Sequence, residues 1–400
     1  MGYGLAARPA WDMDITSWWF VLGMALATVG AAVATVLTWH RRRLKRTRRV
    51  TALIVTQLMV TLTILAAVNS QMYFYSTVSD VLSIADGPPG PKLHVPHVDG
   101  PDRLRADAAT PGPGVPGWLS AHKRLDTRHG VLVSTTVTGA RSRHSLPAHV
   151  YLPAAYFDPA RADERFPVIQ LQSGYPGTPS TWVRRMRIER ILAGLMGSGR
   201  VPPVIAVLPE QNPVQGRDSE CVDAVDGARA ATYLGEDVPD AVAANFRTAE
   251  RPARWGIMGY STGGFCAANL AIRYPDRFGA AASLSGYYKA ITDMTTGDLY
   301  KGDEQARKDN SPIVTIDRPR ERPLRMYLFA ARGEGHAVRD MQKFALKFRA
   351  PNEVTTVVAQ SGGHNFHTWS AGIPAALEWL GARVGEPPRD VVQARTSPSR

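Results

Sequence analysis

The chain has 400 residues, 44% of them apolar, with two cysteines and a formal net charge of +12. That length accommodates one large domain with additional segments, and two cysteines exclude a zinc ribbon or a disulfide-dense scaffold. Seven of the positive charges (Arg41, Arg42, Arg43, Lys45, Arg46, Arg48 and Arg49) form a single run; the rest of the chain carries +5, with no basic stripe interleaved with aromatics, so nucleic-acid binding is not expected.

Residues 17–39 (SWWFVLGMALATVGAAVATVLTW) and 50–68 (VTALIVTQLMVTLTILAAV) contain no charge. Each is long enough to cross a hydrocarbon core of about 30 Å as a helix. Trp18, Trp19 and Trp39 lie at the ends of the first, and Tyr73 and Tyr75 follow the second, where interfacial aromatics belong. A cleaved signal peptide would carry its charges before the apolar run, not after it. A hairpin buried in a soluble core would show polar positions at helical spacing. Residues 1–84 are therefore expected to form a two-helix membrane anchor. The basic loop at 40–49 should stay on the cytoplasmic side, which places both termini and everything after the second span outside.

Residues 85–118 are rich in Pro, Gly and Asp without an apolar period, and read as a linker or surface wrap. From 119 to 385 strand-like and helix-like segments alternate. Residues 129–139 and 145–152 have the alternation of an antiparallel pair. Short apolar runs at 167–172, 204–208, 255–258, 280–284, 325–331 and 353–358 suit buried parallel strands. Helices are expected at 181–196, 238–247, 264–274, 339–349 and 368–382. The pattern predicts an α/β, doubly wound, mostly parallel sheet with an antiparallel start. Residues 386–400 are expected to be a disordered tail.

In chain order, the first chemical signal is Gln172-Ser173-Gly174-Tyr175-Pro176-Gly177, the loop after the third strand. In a hydrolase of this pattern it supplies one oxyanion-binding amide. Tyr175 N–H is the first candidate and Gly174 the second, because Pro176 has no N–H. Next, Gly259-Tyr260-Ser261-Thr262-Gly263 matches G-x-S-x-G, with a buried strand before it and a helix after it. Such a turn lifts a serine hydroxyl above the sheet and aims helix N-terminal amides, that of Thr262 first, at the point where an oxyanion forms. Ser261 is the expected nucleophile.

An acid should follow the next-to-last strand, and Glu334 is the first carboxylate there; Asp340, inside the expected helix, is the alternative. The base should lie after the last strand, where Ser361-Gly362-Gly363-His364-Asn365-Phe366-His367 stands. His364 is the expected base, with His367 left for packing or substrate. His336 and His367 lack ligand-like spacing, so neither a metal nor any other cofactor is expected.

The segments QLQSGYPGTPSTW, GYSTGGFCAANLAIRYPDRFGAAASLSGYY, FAARGE and GGHNFHTW, spread over residues 125–381, resemble the esterase D-like branch of the α/β-hydrolases. That branch includes feruloyl esterases, S-formylglutathione hydrolases and mycolyltransferases. The resemblance implies the α/β-hydrolase fold, with the nucleophile on Ser261, the acid on Glu334 and the histidine on His364. One departure is Ser173-Gly174, where many members have His-Gly. In a domain outside the membrane, Cys221 and Cys266 are expected to pair and brace a loop near the site, the alternative being two buried thiols.

The resulting expectation is a membrane-anchored serine esterase acting through an acyl-enzyme on an ester or acyl substrate, with lipid contact through the hairpin. An acyltransferase delivering the acyl group to a sugar or lipid hydroxyl of the cell envelope would use the same triad. A reading of another class, a catalytically idle, membrane-tethered binding module, would be marked by a missing triad member, and none is missing.

Overall fold

The computed structural model describes residues 13, 15, 17–39, 46–72, 78, 93–108, 112–120, 122 and 125–385. The basic residues 41–45, Tyr73, Tyr75, the first part of the expected linker and the expected tail at 386–400 lie outside the described residues. Two compact units are present.

The first contains helices α1 (Trp18–Trp39) and α2 (Arg46–Met72), together with the turn Ser361–Thr368. By length and composition both helices suffice to cross a membrane, and neither apolar window is buried inside the protein. They pair antiparallel through threonines: Thr28 Oγ1 lies 2.8 Å from Thr63 Oγ1, and Thr35 Oγ1 lies 3.0 Å from Thr56 Oγ1. Each of these hydroxyls is also within bonding distance of a carbonyl one turn back in its own helix, as Thr28 Oγ1 is to the Met24 oxygen at 2.8 Å. Polar side chains are thereby satisfied within an apolar helix pair.

The second unit is built on one nine-stranded sheet. Its strands are β1 (His97–Asp99), β2 (Val131–Thr138), β3 (Ser145–Leu152), β4 (Val168–Gln172), β5 (Ile205–Pro209), β6 (Trp255–Tyr260), β7 (Ala280–Leu284), β8 (Arg325–Ala331) and β9 (Glu353–Ala359). The spatial order is β1-β2-β3-β5-β4-β6-β7-β8-β9. Strand β3 is antiparallel to both β2 and β5, and from β5 to β9 all pairs are parallel. The expected mostly parallel, doubly wound sheet is therefore the one observed.

The strands are apolar on both faces because helices cover both. Val168, Ile257, Ala281 and Leu328 face a layer with α5 (Val238–Asn245), α6 (Thr262–Arg273) and α7 (Gly335–Ala345). Their neighbours Ile169, Met258, Ala282 and Tyr327 face a second layer with α3 (Pro179–Arg184), α4 (Ile188–Gly197) and α8 (Phe366–Gly385).

Several segments differ from the sequence expectation. The helix expected at 339–349 runs instead over Gly335–Ala345, starting directly after the turn that follows β8. The single helix expected at 181–196 is broken at Arg187, whose φ of +52° separates α3 from α4. In a continuous helix Met186 and Ile188 would point about 200° apart; the break lets both be buried. Part of the stretch read as linker or wrap also joins the sheet. Strand β1 pairs parallel with β2, and Leu104 forms a bridge to Val137 and is fully buried.

Arg247 anchors the loop that leads into β4. It is buried, lies over the Tyr156 ring at 4.1 Å, and donates to the carbonyls of Arg161, Ala162 and Glu164 at 2.7–2.9 Å and of Tyr156 at 2.5 Å. Replacement by Met keeps the packing volume but strands these acceptors. Arg247→Met is expected to lower stability by about 3 kcal/mol, read as the shift in the denaturant midpoint.

Candidate active site

Ser261 stands where β6 passes into α6. Its backbone, at φ +55° and ψ −125°, is in a region a side-chain-bearing residue rarely adopts. Hydrogen bonds hold it there: Ser261 N–H donates to the Leu284 carbonyl at 2.9 Å, and Gly264 and Phe265 N–H donate to the Ser261 carbonyl at 2.8 and 3.2 Å. The glycines around it make room for this turn. A Cβ on Gly259 would overlap the Gly263 carbonyl, one on Gly263 would overlap the Gln172 carbonyl, and one on Gly174 would press against the Tyr260 ring and the Ser261 Cβ. Tyr260 is buried between Trp182 and Trp369, with ring centroids 5.0 and 4.7 Å away.

The same contacts bring the loop after β4 beside Ser261. Ser173, where the family resemblance has histidine in many members, is buried and closes this loop by donating to the Thr178 carbonyl at 3.0 Å. Tyr175 is half-buried, and its hydroxyl donates to the Gly216 carbonyl at 2.9 Å. Thr262 begins α6; its hydroxyl donates to Asp218 Oδ2 at 2.8 Å. Cys221 and Cys266 are joined with a sulfur–sulfur distance of 2.03 Å, linking the segment after β5 to α6.

Glu334 follows β8 at the start of α7 and is buried. Its Oε2 accepts from Ser285 Oγ and from Ala331 N–H, both at 2.8 Å. Ser285, at φ +50°, itself follows β7, and its N–H donates to the Phe329 carbonyl. Ser261 and Glu334 thus emerge at the carboxyl ends of two parallel strands separated by one, the edge at which open α/β sheets place their sites. Asp340, the other candidate acid, sits inside α7 rather than at the strand end.

His364 lies on the turn of the first unit, between β9 and α8 in the sequence, and is half-buried. Gly363 N–H donates to Thr368 Oγ1 at 3.0 Å and Thr368 N–H to Asn365 Oδ1 at 2.9 Å; Gly362, at φ +114°, has Thr368 where a Cβ would stand. His367 is half-buried in the same segment. His336 is exposed, with its Nδ1 2.8 Å from Arg339. Among the described residues no group of three His, Cys, Asp or Glu side chains is arranged to hold a metal.

The family model described as "Putative esterase" matches residues 140–380. The chain belongs to this esterase family. An uncharacterized protein of Corynebacterium glutamicum is 25% identical over 264 residues, which is 64% of this chain and 61% of that one. The chain thus spans about three fifths of that relative's length. A solved ferulic acid esterase superposes with a TM-score of 0.56 at 18% identity, covering 64% of this chain and all but 1% of its own. The S-formylglutathione hydrolase from Agrobacterium tumefaciens gives 0.55 at 16%, covering 65% and 98%. At these identities the structures speak to the fold alone, and that fold is the α/β-hydrolase fold.

Three polar residues near the candidate site residues escaped sequence reasoning. Ser285 is visible only once β7 and β8 are neighbours. Asp218 and Glu220 precede Cys221, so the cysteine was the one signal pointing to them. Glu220 is fully buried and accepts from Tyr287 and Tyr300 hydroxyls at 2.8 and 3.1 Å and from Ile291 N–H at 3.1 Å. Burial, reinforced by the nearby Asp218 and partly offset by these donors, pushes its carboxyl up to about 8. Burial likewise raises Asp218.

With a folded value near 8 against an ordinary 4.5, Glu220 retains its proton in the folded protein where the unfolded chain has lost it. Its stabilisation is full below the ordinary value and is lost as pH rises through the folded one. The melting temperature should therefore fall between about pH 5 and pH 8 and level off above. Glu220→Gln, a mimic of the protonated acid, should flatten that slope in a series of thermal melts.

Proposed function

We propose that this chain is a membrane-anchored serine esterase whose catalytic residues are Ser261, Glu334 and His364. The observation that carries the reading is the strained Ser261 turn between β6 and α6, a conformation of the kind retained where a reactive group must be presented. In this reading Ser261 Oγ attacks the carbonyl carbon of an ester while His364 accepts the hydroxyl proton. The oxyanion accepts hydrogen bonds from the amides of Thr262 and Tyr175. His364 then gives its proton to the departing alcohol. Water, activated by the same histidine, next cleaves the acyl-enzyme. Glu334 orients the imidazole and stabilises its cation. The chain order Ser, Glu, His supports the assignment, as does the buried placement of Glu334 after β8.

The two apolar helices α1 and α2 support anchoring in a membrane. The basic run between them supports a cytoplasmic loop, which puts the catalytic domain on the outer side. An ester or acyl-bearing molecule near that surface is the proposed substrate. An alcohol acceptor in place of water would make the same acyl-enzyme a transferase.

A fluorophosphonate probe should label the full-length protein in detergent, and Ser261→Ala should abolish labelling. His364→Ala and Glu334→Ala should reduce p-nitrophenyl ester turnover by about 10³-fold or more, whereas Asp340→Asn should leave it within about threefold. Absence of labelling in the folded wild type would reject the reading.

A further inference from the structure

The segment between β5 and the disulfide touches both proposed oxyanion donors. At one side the Tyr175 hydroxyl donates to the Gly216 carbonyl. Two residues on, Asp218 accepts from Thr262 Oγ1 at 2.8 Å. Asp218 is only 2% exposed, and its other oxygen accepts from Glu220 N–H at 3.0 Å. The segment is fixed by Ser219, whose hydroxyl donates to the Gln211 carbonyl and accepts from Cys221 N–H, and covalently by the Cys221–Cys266 bond to α6. Asp218 is therefore not a loop residue that happens to reach Thr262. It is held on a strap attached to the helix whose first turn supplies the Thr262 amide.

We propose that Asp218 is a positioning residue for the oxyanion donor Thr262. By accepting the Thr262 hydroxyl it fixes that side chain's rotamer and the first peptide of α6, so that the Thr262 N–H is aimed before substrate arrives. Preorganised donors of this kind act on the charge that develops in the transition state rather than on the bound ester. The effect belongs in kcat and not in KM. The inference rests on Ser261 as nucleophile and Thr262 as oxyanion donor.

The test uses the full chain in detergent with p-nitrophenyl acetate. Thr262→Val removes the hydroxyl and keeps the shape; Asp218→Asn and Asp218→Ala remove the acceptor's charge and then the acceptor. Thr262→Val and Asp218→Ala should each lower kcat by about tenfold, the loss of one charge-assisted bond, with KM within about twofold. The double variant should fall no further than the singles. Thr262→Ser, which restores the hydroxyl, should recover most of the rate, and melting temperatures would separate these effects from unfolding. If Ser261→Ala abolishes turnover but folded Thr262→Val and Asp218→Ala retain wild-type kcat, or if their losses add, the positioning role is overturned while the nucleophile stands. If the wild type neither turns over ester nor labels with a fluorophosphonate, the esterase reading itself falls and this inference with it.

Discussion

The close approach of three backbone segments around Ser261 is the constraint on which the site depends. Strand β4 ends in a loop that lies against β6, β6 turns sharply into α6, and no Cβ fits at Gly259, Gly263 or Gly174. A turn this tight leaves Ser261 in a backbone region that costs on the order of 1–3 kcal/mol. The surroundings hold it there: a hydrogen bond from its N–H to β7, two from the first turn of α6, and the packed rings of Trp182, Tyr260 and Trp369.

The surroundings of Glu334 are organised differently. Glu334 needs no strained backbone, because α7 starts immediately after β8 and buries the carboxylate at the strand end. Two donors, a hydroxyl from the turn after β7 and an amide from its own turn, converge on one oxygen. Buried polar atoms need such partners to replace the lost water. Glu220 also accepts several hydrogen bonds, and its fully buried position beside Asp218 pushes its carboxyl up despite them.

The N-terminal helix pair distributes its polar and apolar groups differently. Most of its outward positions are apolar, and several of its threonines turn toward each other or back onto their own helix. In the sheet unit the apolar residues are instead drawn inward onto both faces of the strands. One chain thus contains two different partitions of polar and apolar groups.

The amino-acid sequence by itself determined the alternation of strands and helices, the two long apolar helices, the serine turn and the place of Glu334 at a strand end. These are local signals: a run of apolar residues of strand length, an uncharged stretch of membrane length, glycines flanking a serine, and a carboxylate placed directly after a strand. Tertiary structure alone decided that residues 97–99 pair as an edge strand, that Arg187 breaks a helix, and that Ser285 and Asp218 contact Glu334 and Thr262. In each case the deciding partner is distant in sequence. The open edge of β2 recruits β1, burial of both Met186 and Ile188 outweighs helix continuity, the adjacency of β7 and β8 brings Ser285 to Glu334, and a loop folded back onto α6 brings Asp218 to Thr262. Local periodicity encodes none of these, because each follows from which surfaces remain to be covered once the sheet has formed.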